Sequence, residues 1–215
     1  MKSLLILLGL IINLTLQSQI KYNLKGGLNL PNADFSYYNG QQMKTKTTPT
    51  WGFGVLVDIP VKMLIIQTGL NYQNKGFYLE ENQVDDYSGD IYTTKTTISY
   101  DFVELPITIG KKFPLSENLS LQVNVGIWTA VALSGKSNQQ YLLNGQQVYQ
   151  ENYTFEFGDS EDLSRMDYGI TMGANLNWKG ILLGTTYNPS RYNICKDDYA
   201  SIYNRLTQIY IGYQF

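Results

Sequence analysis

The chain has 215 residues, 43% hydrophobic and only 16% charged, with 18 Tyr, 19 Gly, one Cys, no His and a net charge of −2. The near-neutral balance leaves no electrostatic footprint for nucleic acid. The absence of histidine excludes every mechanism built on a histidine base or ligand, and one cysteine excludes an internal disulfide or a cysteine metal cluster.

Residues 1–18 have the three parts of a secretory signal. Lys2 supplies the positive start, and Leu4 to Ile12 form an apolar run broken only by Gly9. A short polar stretch then leads to Ser18, so cleavage is expected after it, with Gln19 as the mature N-terminus. The run is too short to span a bilayer as a helix. Residues 19–215 are then one domain, a length that a single all-β barrel routinely fills. No later apolar stretch approaches 18 residues, so the exported chain either stays soluble or crosses a membrane as a barrel.

Past the signal the apolar period is two, not 3.6. Tyr22, Leu24, Gly26, Leu28 and Leu30 alternate with Lys21, Asn23, Lys25, Gly27 and Asn29. Trp51, Phe53, Val55, Val57 and Ile59 alternate with Gly52, Gly54, Leu56 and Asp58. Further strands are predicted over residues 64–73, 99–111, 119–133, 166–178, 181–188 and 206–215. These make eight strands of about ten residues, the length that crosses a membrane at a ~45° tilt.

The gaps between them alternate in length. Long connections at 31–50, 74–98, 134–165 and 189–205 alternate with short ones at 60–63, 112–118 and 179–180. Sorting of loops by parity is the pattern of a bacterial outer-membrane barrel, with long extracellular loops and short periplasmic turns. Ten glycines (27, 52, 54, 69, 110, 126, 169, 173, 184 and 212) fall in the polar phase. In a lumen only wide enough to be filled by side chains, they relieve crowding. Period alone does not say which phase faces inward.

The expected fold is therefore all-β: an eight-stranded, antiparallel, up-and-down transmembrane β-barrel. The chain ends on Ile209, Ile211, Tyr213 and Phe215 in one apolar phase. This alternation with a terminal aromatic is expected to act as the assembly signal. Tyr22, Trp51, Tyr72, Tyr100, Trp178 and Tyr187 near strand ends suit interfacial aromatic girdles.

Four strings carry a resemblance: YDFVELPITIGKKF (100–113), LQVNVGIWTAVALSGK (121–136), RMDYGITMGANLNWKG (165–180) and IYIGYQF (209–215). In order and spacing they resemble the PorT-like family of outer-membrane β-barrels. That family has an aromatic-x-Glu-hydrophobic-Pro strand, a Gly-centred strand ending in Ser-Gly-Lys, an Asp-aromatic-Gly strand and a final Phe. The resemblance implies a barrel in the outer membrane of a Gram-negative bacterium. It also suggests a tie to protein secretion, by fold-level analogy with the founding member only.

Lys21, Lys25, Asp58, Glu104 and Asp167 are expected to point into the lumen as a polar network, with Glu104 paired to a lysine or arginine across it, because buried charges must be paired. Pro106 removes a ladder donor, so a bulge is expected there. The acidic residues Glu80, Glu81, Asp85, Asp86 and Asp90, and Glu151, Glu156, Asp159, Glu161 and Asp162, lack EF-hand spacing and read as solvated loop tips. Cys195, in the last long loop, reads as incidental.

The sequence thus predicts a non-catalytic outer-membrane barrel with a closed lumen, no cofactor and no metal. Its outer loops are available to bind or shield. The expected partners are outer-membrane lipid, the barrel assembly machinery during insertion, and an unidentified extracellular or secretion-machinery partner, with the barrel itself a monomer. The alternatives are an accessory part of a secretion apparatus, from the resemblance, and a soluble periplasmic barrel carrying an apolar ligand.

Overall fold

The computed structural model describes residues 20–37, 39–158, 163–195 and 200–215; the signal segment 1–18 lies outside them. Ten strands form: β1 (Lys21–Tyr37), β2 (Gln42–Met43), β3 (Thr50–Val61), β4 (Leu64–Val84), β5 (Ile91–Pro114), β6 (Leu119–Leu143), β7 (Gln146–Thr154), β8 (Met166–Trp178), β9 (Ile181–Pro189) and β10 (Ala200–Gln214). Eight of them, β1, β3, β4, β5, β6, β8, β9 and β10, bond neighbour to neighbour in chain order, and β10 pairs back onto β1. Every seam is antiparallel. The ring therefore has no open edge, which is the condition for a sheet to sit in hydrocarbon.

Local sequence explains the short ends. β3 and β4 join across Lys62 and Met63, and β8 and β9 across Lys179 and Gly180. Lys179 and Gly180 hold φ of 51° and 93°, the two positive values a type I′ hairpin needs.

Alternation then decides which phase faces out. Trp51, Phe53 and Val55 are 72%, 60% and 52% exposed, whereas Asp58 between the same strand's neighbours is 2% exposed. Val123, Val125 and Ile127 on β6 and Ile209 and Ile211 on β10 likewise turn outward. A soluble barrel would reverse this, so the reading as a soluble carrier with an apolar interior does not hold. The apolar band faces lipid, and the polar phase fills the inner part of the lumen.

Two expectations need correction. The segments 74–98 and 134–165 are mostly strand, not loop. β4, β5 and β6 run to 21, 24 and 25 residues, about twice the 9–11 that a crossing needs, so they project beyond the membrane. β7 adds a hairpin onto β6 through Asn144 and Gly145, another type I′ turn with φ of 51° and 82°.

No bulge forms at Pro106 either. Thr68 faces Ile107 and Asn71 faces Glu104 in one register, and the pairing merely lapses between them, where Pro106 has no N–H to give. The bulge lies instead on β6: Asp101 faces Ser134 and Phe102 faces Ala132, leaving Leu133 unmatched. Beyond it the inward phase of β6 changes from Ala130 and Ala132 to Gly135 and Ser137.

The lumen glycines mark crowding in a testable way. A Cβ on Gly52 would lie 2.1 Å from Gln73 Oε1 and 2.8 Å from both Asn29 Nδ2 and Gln208 Nε2, three bonded amides. A Cβ on Gly26, in the outward phase, would meet only Gly52 O at 3.9 Å. Gly52→Val is therefore expected to cost about 1–3 kcal/mol by overpacking, read as a lowered urea midpoint in detergent, and Gly26→Val to leave it unchanged. Equal midpoints for the two variants would contradict the filled lumen.

Candidate functional site

Halfway along the lumen three charges meet. Lys75 of β4 places Nζ 3.4 Å from Glu104 Oε2 on β5 and 3.7 Å from Asp167 Oδ2 on β8, and all three side chains are at most 1% exposed. Glu104 also accepts from Asn188 Nδ2 at 3.0 Å and Asn71 Nδ2 at 3.5 Å. Asp167 accepts from Ser190 Oγ at 2.6 Å and Asn204 Nδ2 at 2.9 Å. The ammonium sits 3.7 Å from the Trp128 ring centroid, and Trp128 Nε1 donates to Ile170 O at 2.8 Å. Carboxylates away from water persist only when so bonded.

The other predicted lumen residues are placed as follows. Lys25 is buried, donates to Gln208 Oε1 at 3.1 Å and lies over the Tyr210 ring. Gln208 continues to Asn29 and Gln73, so an amide net joins β1, β4 and β10. Asp58 accepts from Gln67 Nε2 at 2.6 Å and Gln214 Nε2 at 3.0 Å. Lys21 is half-buried opposite Asp58 at the periplasmic mouth, which Lys62, Lys111 and Lys112 share. Glu104 has a lysine partner, but from the adjacent strand; the group reaching across the ring is Asp167. Lys75 itself fell in a predicted loop and was not foreseen.

The outer half of the lumen is apolar, which the alternation did not anticipate. Phe77, Ile98, Tyr100, Phe102, Trp128, Phe157 and Leu163 pack into one cluster there. Voids of only about 10 and 20 Å³ lie below it among the polar side chains, room for about one water each. Above it opens a cup of about 460 Å³ between β1, β5, β6, β7 and β10. Phe35, Ile98, Phe155 and Ile202 form walls, and exposed Glu151 stands at the rim. Cys195 is half-buried in the same lining.

Outside, the segment before β3 is pinned to β4. Lys46 and Tyr78 exchange backbone bonds of 2.8 and 2.9 Å, and Lys46 Nζ lies 2.8 Å from Glu80 Oε2. The hydrogen bond from Lys46 and its charge hold the Glu80 carboxyl below the usual range. Backbone N–H groups of Ser88 and Tyr87 do the same for Asp85 at the β4–β5 tip. No group of three metal-ligating residues occurs among the described residues. Asp159, Glu161 and Asp162 lie outside them.

A family model described as "Outer membrane protein beta-barrel domain" matches residues 15–190. No curated protein matches the chain. Among solved structures, Ail, the attachment invasion locus protein of Yersinia pestis, in complex with the heparin analogue sucrose octasulfate, is 12% identical with a TM-score of 0.38, covering 92% of this chain and 99% of that one. Neisserial surface protein A is 7% identical at 0.35, covering 91% and 97%. The outer membrane protease OmpT from Escherichia coli is 9% identical at 0.36, covering 93% and 97%.

Proposed function

The chain belongs to the outer membrane protein beta-barrel domain family, and from that premise we propose that it is a non-catalytic barrel with a closed lumen whose outer end is the part that binds. The observation that carries this is the Lys75–Glu104–Asp167 cross-brace, at most 1% exposed and wedged under Trp128 and Phe102. An eight-stranded ring has room inside for side chains and little else, and here side chains from β4, β5, β6 and β8 occupy it. With the lumen filled, chemistry and exchange are left to the outer surface, where the long hairpins stand.

Residues 1–18 are cleaved on export in this reading, and the barrel assembly machinery inserts the mature chain as a monomer among outer-membrane lipids. Purified protein in planar bilayers is expected to add no conductance above the bare membrane. Discrete channel openings by the unaltered protein would overturn the closed lumen. An accessory role in protein secretion rests on the resemblance of residues 100–113, 121–136, 165–180 and 209–215 alone, and normal secretion by a deletion strain would remove it.

A further inference from the structure

We propose that the outer cup is a binding site for a small neutral molecule with an apolar body and one hydroxyl or carbonyl group. The inference rests on the closed-barrel reading, in which only the outer end meets ligand. The cup's volume of about 460 Å³ falls in the range of small-molecule sites, about 300–1,000 Å³. Its walls are aromatic and aliphatic, from Phe35, Ile98, Phe155 and Ile202.

Thr96, Gln139 and Tyr153 also line it, and two further polar groups are buried in its wall. The hydroxyls of Tyr100 and Ser137, on residues 1% and 4% exposed, have no hydrogen-bond partner among the described residues. Native proteins leave few buried polar atoms unmet, because each forfeits its hydration without return. Both residues line the cup, and unmet hydroxyls in a largely apolar wall are the groups that orient a ligand's polar atom.

The backbone is shaped to bring them there. Ser137 faces Ile98 and Gly135 faces Tyr100 across the β5–β6 ladder. The extra residue Leu133 turns the inward phase of β6, so that Ser137 points inward instead of toward solvent. Gly135 then makes room for the rings: a Cβ there would lie 3.0 Å from Tyr100 Cδ1 and 2.8 Å from Phe157 Cζ.

Charge selects the ligand further. No lysine or arginine lines the cup among the described residues, and Glu151 stands at its rim. An anion would lose its hydration and meet a carboxylate, so a neutral ligand is favoured.

Three probes with one body test this: 1-naphthol, naphthalene and 1-naphthoate. Equilibrium dialysis of the protein in nanodiscs against matched empty nanodiscs removes the lipid contribution. Saturable binding of one 1-naphthol per barrel is expected, with naphthalene and 1-naphthoate about ten-fold weaker. Tyr100→Phe/Ser137→Ala should bring 1-naphthol down to the naphthalene level while the folded form keeps its faster gel mobility. Uptake no greater than by empty discs, equal binding of all three probes, or undiminished binding by the double variant would each overturn the site. If that variant lost its folded mobility, Ile202→Trp, which fills the cup from β10, would replace it, and retained uptake there would overturn the site as well. Conductance of the same preparation is a separate readout, so failure of the cup and failure of the closed lumen are distinguishable.

Discussion

Glu104→Leu is expected to lose about 3–5 kcal/mol of stability, because removing one member of a buried charge set strands the rest. Lys75 would keep only Asp167, at 3.7 Å, and the Asn188 and Asn71 amides would lose their shared acceptor. Lys75→Met should cost as much, since it leaves two carboxylates facing one another without their cation. The combined variant should cost clearly less than the sum, with a coupling of about 0.5–3 kcal/mol, as for residues in one network. Trp128 stands directly over the ammonium, so its fluorescence during urea unfolding in detergent, read in a Trp51→Phe/Trp178→Phe background, follows the right place. Additive losses, or a Glu104→Leu chain as stable as its parent, would show that the three charges do not act as a unit. Conductance should stay at the bare-membrane level in each folded variant, because the apolar cluster above is untouched.

Much of this was legible because a membrane barrel writes its faces in period two. The inward positions of Asp58, Glu104 and Asp167 follow from counting along one strand, and so does the outward band from Val123 to Ile127. What alternation does not show is where a strand stops. β4 continues past Gln73 through Lys75, Phe77 and Leu79, all inward, yet an inward Phe looks like a break in a polar phase. It belongs to the apolar cluster of the outer lumen, whose existence depends on strands meeting above the membrane. Lys75, the cation of the central set, was lost with it. The Asn144–Gly145 turn was readable, being a strong hairpin signal between alternating segments. The Leu133 bulge was not, because Val131, Leu133 and their neighbours read as one continuous apolar phase; only the pairing with β5 reveals the extra residue. The cup depends on that bulge, so no pattern in the chain announces it.

Deletion of Phe215 is expected to lower the amount of assembled barrel several-fold while hardly changing the barrel that does form. In the finished ring Phe215 gives one hydrogen bond, its N–H to Tyr22 O at 2.8 Å, and its side chain is 70% exposed, edge-on to Tyr213 with centroids 4.9 Å apart. One such bond is worth about 1 kcal/mol net, and β10 is held besides by pairing with β1 from Asn23–Gln214 through Tyr37–Ala200. The folded state therefore supplies no reason for a large loss. Closure does: until β10 meets β1, both carry unpaired backbone groups that cost several kcal/mol each in hydrocarbon. In the proposed reading, Ile209, Ile211, Tyr213 and Phe215, the outward phase of β10, are what an assembly machinery grips before closure. Two measurements separate the effects. Outer-membrane levels of the Phe215 deletion should fall well below those of a deletion at Asp86, in the exposed 85–90 tip. The same protein refolded into detergent should keep its urea midpoint to within the equivalent of about 1 kcal/mol. Equal membrane levels would mean that the terminal aromatic is only a chain end; a large midpoint loss would mean that it holds the finished ring rather than guiding its closure.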